Sequence, residues 1–275
     1  MYEQFWELDR SPFQNNTAPE FFYRSETHHA ALLKLRYVIE NRLGAGLLAG
    51  GIGYGKTYLA HMLAYELAEE FHPLIHIMFP QLTSAELLAY LAIELGADES
   101  TVGSGPGNLD RTVRQIEQQL TKQAKLGRHP VILIDDAHLI DDMQVFHTLQ
   151  LLLNFEQRST ISFSLILIGE WTLLARVGRV AQLDERIAVK GLIQPLSKSG
   201  TIEYVKSRLE AAGATRDIFD ETALDAIFEL SGGIPRRINR LCDLALLVGY
   251  ADELKVLTAQ EVEAVGEELT TVVPV

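Results

Sequence analysis

The eight residues GGIGYGKT at positions 50–57 have types and spacing suited to chemistry. They fit the pattern G-x-x-x-x-G-K-[S/T] and lie between an apolar run, LGAGLLAG, and a helix-like run, YLAHMLAYELAEEF. Glycines let successive backbone N–H groups point into one concavity, where they and a helix N-terminus meet phosphate oxygens. On this reading Gly50, Gly51, Ile52, Gly53, Tyr54, Gly55, Lys56, Thr57 and Tyr58 form a cradle for a nucleotide phosphate chain. Lys56 reaches the terminal phosphates, and Thr57 places its hydroxyl on Mg2+. An ordinary glycine-rich strand-to-helix turn is the competing reading.

VILIDDAH supplies the complementary chemistry, an apolar strand that ends in carboxylates. A phosphate-bound metal needs an acidic residue close to the threonine hydroxyl, which makes Asp135 the metal residue with Thr57. Asp136, the next acid, orients or deprotonates an attacking water. The alternative is that both acids cap the turn that follows. The histidines have no zinc-like spacing with one another or with cysteine. His28 and His29, at a helix start, read as one packed and one solvated side chain.

These residues must be positioned by a body of 275 residues, 47% of them apolar, enough for one large domain and a small second one. A formal net charge of -13 disfavours a broad basic face for nucleic acid or anionic membrane, although a local patch or an assembled ring could present one. The single cysteine, Cys242, excludes an internal disulfide and reads as a buried thiol in a reducing cytosol. No uninterrupted apolar segment approaches the roughly 18 residues needed to span a bilayer, and a soluble, cytoplasmic protein is expected.

Along the chain, Pro12, Pro19 and QNNT predict an irregular leader anchored by Phe5, Trp6, Phe13, Phe21, Phe22 and Tyr23. Ala30, Leu33, Tyr37 and Val38 recur at helical spacing over 26–41. Four apolar runs, GLLAG, LIHIMF, VILID and SLILIG, predict buried parallel strands, with helices between them at 84–95 and 109–126. ESTVGSGPGN reads as a flexible surface loop. Beyond LIQPLS, helical patterns follow one another without strands over 198–212, 220–230, 235–249 and 258–269, with Asp220 and Thr258 as N-caps. The expected architecture is α/β: a three-layer αβα core with a parallel sheet over 1–194, including an N-terminal extension over 1–27, followed by a small all-α lid over 195–270.

Taken with SLILIGEWTLLARV, LDERIAVKGLIQPLS, LSGGIPRRINRLCDLALL and the opening MYEQFWELDRSPFQNNTAPEFFYRSETHHAALLKL, these motifs resemble an AAA+ P-loop ATPase, most closely the general secretion pathway protein A group. The likeness covers nearly the whole chain. It implies ATP with Mg2+ as ligands and a homo-oligomeric ring or filament that forms with ATP. Arg236, in GGIPR, resembles the second-sensor arginine, by which lid closure depends on the γ-phosphate. Arg186, in LDERI, resembles an arginine finger reaching a neighbouring subunit's nucleotide, with Arg176 and Arg179 as alternatives; for Arg236 and Arg186 alike the competing reading is a surface ion-pair residue. The sequence departs from the family at three positions. Glu170 stands where the family usually has a glutamine, Gly51 replaces a common glutamate, and Asp136 takes a place commonly held by glutamate.

The resemblance implies an ATPase that assembles or remodels a protein complex of a secretion or pilus-type apparatus. Members of that group typically continue into a membrane span and a peptidoglycan-binding region, so a sequence without either is expected to work as a stand-alone motor or switch that recruits its partner through protein contacts. A second reading is an ATP-dependent DNA-binding regulator similar to Mu B-type transposition ATPases, with the basic run at 236–240 and Arg176 with Arg179 as local basic strips. A third, a small-molecule P-loop kinase, would lack the arginine-bearing lid.

Overall fold

The computed structural model describes residues 1–14, 18–102, 108–157 and 161–271. Parts of QNNT and of ESTVGSGPGN, and the end of the C-terminal run, lie outside the described residues. Two compact units emerge: Thr27–Ile52 with Leu59–Ile193, and Met1–Glu26 with Gly53–Tyr58 and Gln194–Val275. The leader, expected as an extension of the first domain, thus groups with the helical residues.

The first unit is built on a parallel sheet of β1 (Ala45–Gly50), β2 (Leu74–Ile77), β3 (Val131–Ile134), β4 (Ser164–Gly169) and β5 (Ile187–Ile193), in the order β2-β3-β4-β1-β5. β1, β3 and β4 are buried at every position, which is why they read as continuous apolar runs. β5 is the strand that the sequence reading missed. It lies at the sheet edge, and with Ala188, Lys190 and Leu192 exposed it carries no apolar run to detect. β2 is shorter than its run, since Met78 and Phe79 lie beyond its end and are exposed.

Helices α1 (Glu26–Glu40), α2 (Lys56–Glu66), α3 (Ser84–Glu94), α4 (Leu109–Lys125), α5 (Met143–Leu153), α6 (Thr172–Gly178) and α7 (Ala181–Asp184) alternate with the strands. Side chains alternate across a strand, so β1 shows which helices lie on each face. Ala45, Leu47 and Ala49 join one core with Leu88 and Leu91 of α3, Ile116 of α4 and Phe146 of α5. On the opposite face a Cβ at Gly46 would lie 3.4 Å from Leu35 and 3.5 Å from Val38 of α1. The helix predicted over 26–41 forms, but its buried face is Ala31, Leu32, Leu35, Val38 and Ile39. Of the four positions that marked it, only Val38 is buried, while Ala30, Leu33 and Tyr37 are exposed. His28 is buried and His29 exposed.

The second unit packs α8 (Lys198–Ala211), α9 (Glu221–Ser231), α10 (Pro235–Ala251) and α11 (Ala259–Thr271) with the leader. Asp220 caps α9 by accepting from Ala223 N at 2.8 Å. Thr258 stands before α11, accepting from Gln260 N at 3.3 Å while its own N–H donates to Glu261 at 2.8 Å. Trp6, Phe13 and Phe21 of the leader are buried here, and the Trp6 indole donates to Leu246 O at 2.9 Å. Arg208 of α8 is fully buried, which a charge tolerates only with partners. It donates to Pro12 O at 2.6 Å and Gln14 O at 2.7 Å, with its guanidinium 4.7 Å from the Phe21 ring. Cys242 is buried in the same core, and burial raises its thiol pKa.

One buried polar group makes the first unit sensitive to pH. The His129 ring, wholly buried before β3, contacts Ser162 Oγ at 2.6 Å and Ser164 Oγ at 2.8 Å. Burial, with Arg42 adding to it, pushes its pKa down to about 4. The unfolded chain takes up this proton near pH 6.5, so it binds more protons than the folded chain between there and pH 4. Stability held above pH 6.5 should therefore decline as pH falls to 4, by on the order of 2–3 kcal/mol. Chemical denaturation of wild type and His129→Gln at pH 7 and pH 4.5 checks this, and the variant should lose most of the difference.

Candidate functional site

Every strand of a parallel sheet ends on the same side, and three strand ends carry the chemistry. β1 leads directly into the phosphate-loop sequence, and α2 opens at Lys56. Gly53 and Gly55 hold φ of 78° and 89°, a region costly for other residues and one in which consecutive amides can turn into one concavity. Gly53 is also crowded. A Cβ there would stand 2.9 Å from Arg236 Cβ and 3.3 Å from Ile234 Cγ2, and Arg236 N–H donates to Gly53 O at 3.2 Å.

Lys56 is nearly buried at the head of an 11-residue helix, where amides without an intrahelical acceptor face forward. Thr57 and Ile52 are exposed, and Gly51 and Tyr54 are half-buried. Tyr58 is tied to the leader, donating from its hydroxyl to Ala18 O at 2.5 Å with the Phe22 ring edge-on at 5.2 Å. Burial pushes the Tyr58 phenol up to about 12. A bare glycine backbone, a positive φ pair and a sheltered ammonium fit a polyphosphate. The side chain of Arg236, on the first turn of α10, is exposed.

β3 ends in the two acids. Asp135 is 3% exposed. Its N–H donates to Ile77 O at 2.9 Å, and one carboxylate oxygen accepts from Asp136 N at 2.9 Å. The other oxygen lies 3.7 Å from His76 Nε2, and the His76 ring meets that of His61 on α2 edge-on at 5.5 Å. Burial first, and the neighbouring His76 second, lower the His61 pKa. His76 was not picked out from the sequence. The one signal was a histidine inside an otherwise apolar strand run. A buried carboxylate at a strand end beside a histidine suits a cation's ligand set.

Asp136 has φ 47° and ψ 32°, the left-handed region that aspartate tolerates better than most residues, and its side chain makes no cap hydrogen bond to the one-turn helix that follows. Its carboxylate is about half exposed. Beside it, at the end of β4, stands Glu170. The His138 ring faces both, with Nε2 3.3 Å from Glu170 Oε1 and Nδ1 3.8 Å from Asp136 Oδ1. β3 and β4 are neighbours in the sheet, and so residues 135, 136, 138 and 170 are brought together.

The arginines are placed differently. The Arg186 guanidinium donates to Leu153 O at 2.9 Å and Asn154 Oδ1 at 2.7 Å of its own chain. Arg176 donates to Ile140 O and lies 3.3 Å from Asp141. Arg179, at the end of α6, is exposed and makes no ion pair or side-chain hydrogen bond among the described residues.

A family model described as an AAA domain matches residues 40–177, just over half of the chain. The chain belongs to the AAA family of ATPases. It is 35% identical over 256 residues to general secretion pathway protein A of Aeromonas hydrophila, an alignment covering 91% of this chain and 45% of that relative. The chain therefore spans less than half the length of this relative. Among solved structures, Cdc6p from Pyrobaculum aerophilum superposes with a TM-score of 0.75 at 16% identity, covering 95% of this chain and 71% of that one. Drosophila ORC bound to DNA gives 0.68 at 16% identity over 98% and 66%. The Thermotoga maritima RuvB Holliday junction branch migration motor gives 0.61 at 20% identity over 94% and 73%. At these identities the likeness concerns the fold, and the αβα core with a parallel sheet is the AAA+ P-loop architecture that the sequence implied.

The crowding at Gly53 has a measurable consequence. Gly127 has a similar φ of 73° but nothing within 4 Å of a would-be Cβ, so Gly127→Ala should cost only the backbone term, about 1 kcal/mol. Gly53→Ala adds the collision with Arg236 and should cost more, about 2–3 kcal/mol. Thermal unfolding of the two variants side by side checks the difference; equal losses would show that the Arg236 contact gives way freely.

Proposed function

We propose that this AAA domain binds ATP with Mg2+ and hydrolyses it within an oligomer, coupling turnover to assembly or remodelling of a secretion or pilus-type protein complex. The observation that carries the reading is that β1 and β3, strands of one parallel sheet, end on the same side, one in GGIGYGKT and the other in Asp135-Asp136. Loop amides from Gly50 to Tyr58 and the Lys56 ammonium hold the phosphates, Thr57 and Asp135 hold the metal, and Asp136 directs the attacking water. Bound Mg2+ neutralises phosphate charge and orients the terminal group for in-line attack. Arg236, whose backbone grips Gly53, ties the α10 end of the helical unit to occupancy of the loop. The secretion role is supported by the name of the 35% identical relative. A cytoplasmic location accords with the lone buried cysteine and with the absence, among the described residues, of any helix long and apolar enough to cross a membrane.

A second reading, an ATP-dependent DNA-binding regulator, has one observation in its favour: Arg236, Arg237 and Arg240 are all exposed at the start of α10. The net charge of -13 opposes it. A duplex mobility shift that appears only with ATP and weakens steeply with salt would select this reading. Its absence, together with capture of a secretion-apparatus protein in the ATP state, selects the first.

Lys56→Ala should abolish ATP binding by calorimetry or weaken it at least tenfold, and Asp136→Asn should bind ATP normally while losing most of its turnover. If an arginine acts between subunits, its alanine variant should regain turnover when mixed with Lys56→Ala protein. Arg186 is already bonded within its chain and Arg179 makes no ion pair or side-chain hydrogen bond among the described residues, so both are mixed in parallel and the one that is rescued is the finger.

A further inference from the structure

The acid at position 170 calls for a physical account, because it places a second carboxylate beside the half-exposed Asp136 at adjacent strand ends. Like charges so placed repel unless something lies between them. We propose that Glu170 and His138 form a positioning pair for Asp136, in which the His138 ring, with Nε2 toward Glu170 and Nδ1 toward Asp136, spaces the two carboxylates and fixes where the Asp136 carboxylate points.

The backbone is shaped to put the ring there. Asp136, in its left-handed conformation, turns the chain from β3 into the one-turn helix Ala137–Leu139. That helix lies directly against the end of β4, where Gly169 makes room for it. A Cβ at Gly169 would stand 3.1 Å from His138 N, 3.3 Å from His138 Cβ and 3.0 Å from Leu173 Cδ2. The His138 side chain is only 12% exposed. Its Nε2 lies 3.3 Å from Glu170 Oε1, which leaves Nδ1, a buried atom with no hydrogen bond, turned toward Asp136 Oδ1 at 3.8 Å.

Lysine and arginine side chains do not take this place among the described residues. Arg176, on the α6 side of the one-turn helix, is engaged with Ile140 O and Asp141, and His76 lies 3.7 Å from an oxygen of Asp135 instead. Among the described side chains, His138 is the one polar partner facing the Asp136 carboxylate. Glu170 therefore acts through the histidine, which is why an anion can stand at this strand end. Supporting groups of this kind typically contribute about 10–100-fold to activity.

The inference rests on the proposed role of Asp136, and the experiment separates the two. Steady-state ATP hydrolysis, ATP-analogue affinity and thermal unfolding are measured for Asp136→Asn, His138→Phe, His138→Asn, Glu170→Gln and the double variant His138→Phe/Glu170→Gln. The expected result is a kcat about 10–100-fold lower for His138→Phe, with KM and analogue affinity within about twofold of wild type. His138→Asn, whose amide can stand in for Nδ1, should recover part of that loss. Glu170→Gln should lower kcat less, and the double variant should be no slower than His138→Phe alone. Multiplying losses in the double variant, or faster turnover in Glu170→Gln, would overturn the pairing and give Glu170 an independent role at the phosphate. An inactive Asp136→Asn beside a fully active His138→Phe sinks the pair alone, whereas an active Asp136→Asn sinks the underlying assignment. Should His138→Phe fail to fold, His138→Asn and Glu170→Gln still decide, because both must lower kcat without moving affinity.

Discussion

The chemistry of this chain depends on the burial of β1. The strand is hydrogen-bonded on one side to β4 and on the other to β5, and it is enclosed on both faces. No polar side chain occurs between Ala45 and Gly50, and none could be tolerated there without a partner. That rigidity fixes where the chain emerges, and the segment that emerges is rich in glycine, with Gly53 and Gly55 at positive φ. A loop that is proposed to present amides to phosphate must not rearrange its own anchor. Here the anchor is the best-held strand of the sheet, and the glycines provide shape.

The same sheet explains why residues far apart in sequence become one chemical neighbourhood. β3 and β4 are adjacent, so the acids after Ile134, the histidine at 138 and the acid after Gly169 converge without any local signal in the chain. His138 and Glu170 are separated by 32 positions, and the sequence motif containing each shows nothing of the other. His76 meets Asp135 in the same way, through the parallel pairing of β2 with β3. Strand pairing brings these groups together, and pairing is a long-range property.

The helical unit shows a different relation between pattern and packing. The leader has no secondary-structure signal beyond its aromatics and prolines. Its aromatic residues nonetheless enter the same core as α8 to α10, and backbone carbonyls at Pro12 and Gln14 satisfy a buried arginine from α8. Arg208 sits in a helix whose sequence gives no hint that this position is interior. A charged residue is buried because two backbone carbonyls from the leader and the ring of Phe21 replace its water, an arrangement visible only once both segments are folded. Conversely, Leu33 and Tyr37 of α1 marked a helix correctly but lie on its exposed side, because apolar spacing reports the helix period and not which stripe meets the sheet.

The sequence by itself determined the elements whose signal is local. These are the apolar runs of β1, β3 and β4, the glycine spacing of the phosphate loop, the acids that close β3, and the helical periods and caps of the second half. Each depends on neighbours within a turn or a strand, so residue types along the chain are enough. Only the tertiary structure decided the edge strand β5, the inward face of α1, the attachment of the leader, the engagement of Arg186 with Leu153 and Asn154, and the placing of His138 between Asp136 and Glu170. The physical reason is common to all five. Each is set by which segments share a surface, and that follows from strand order and core shape rather than from any stretch of residues read alone.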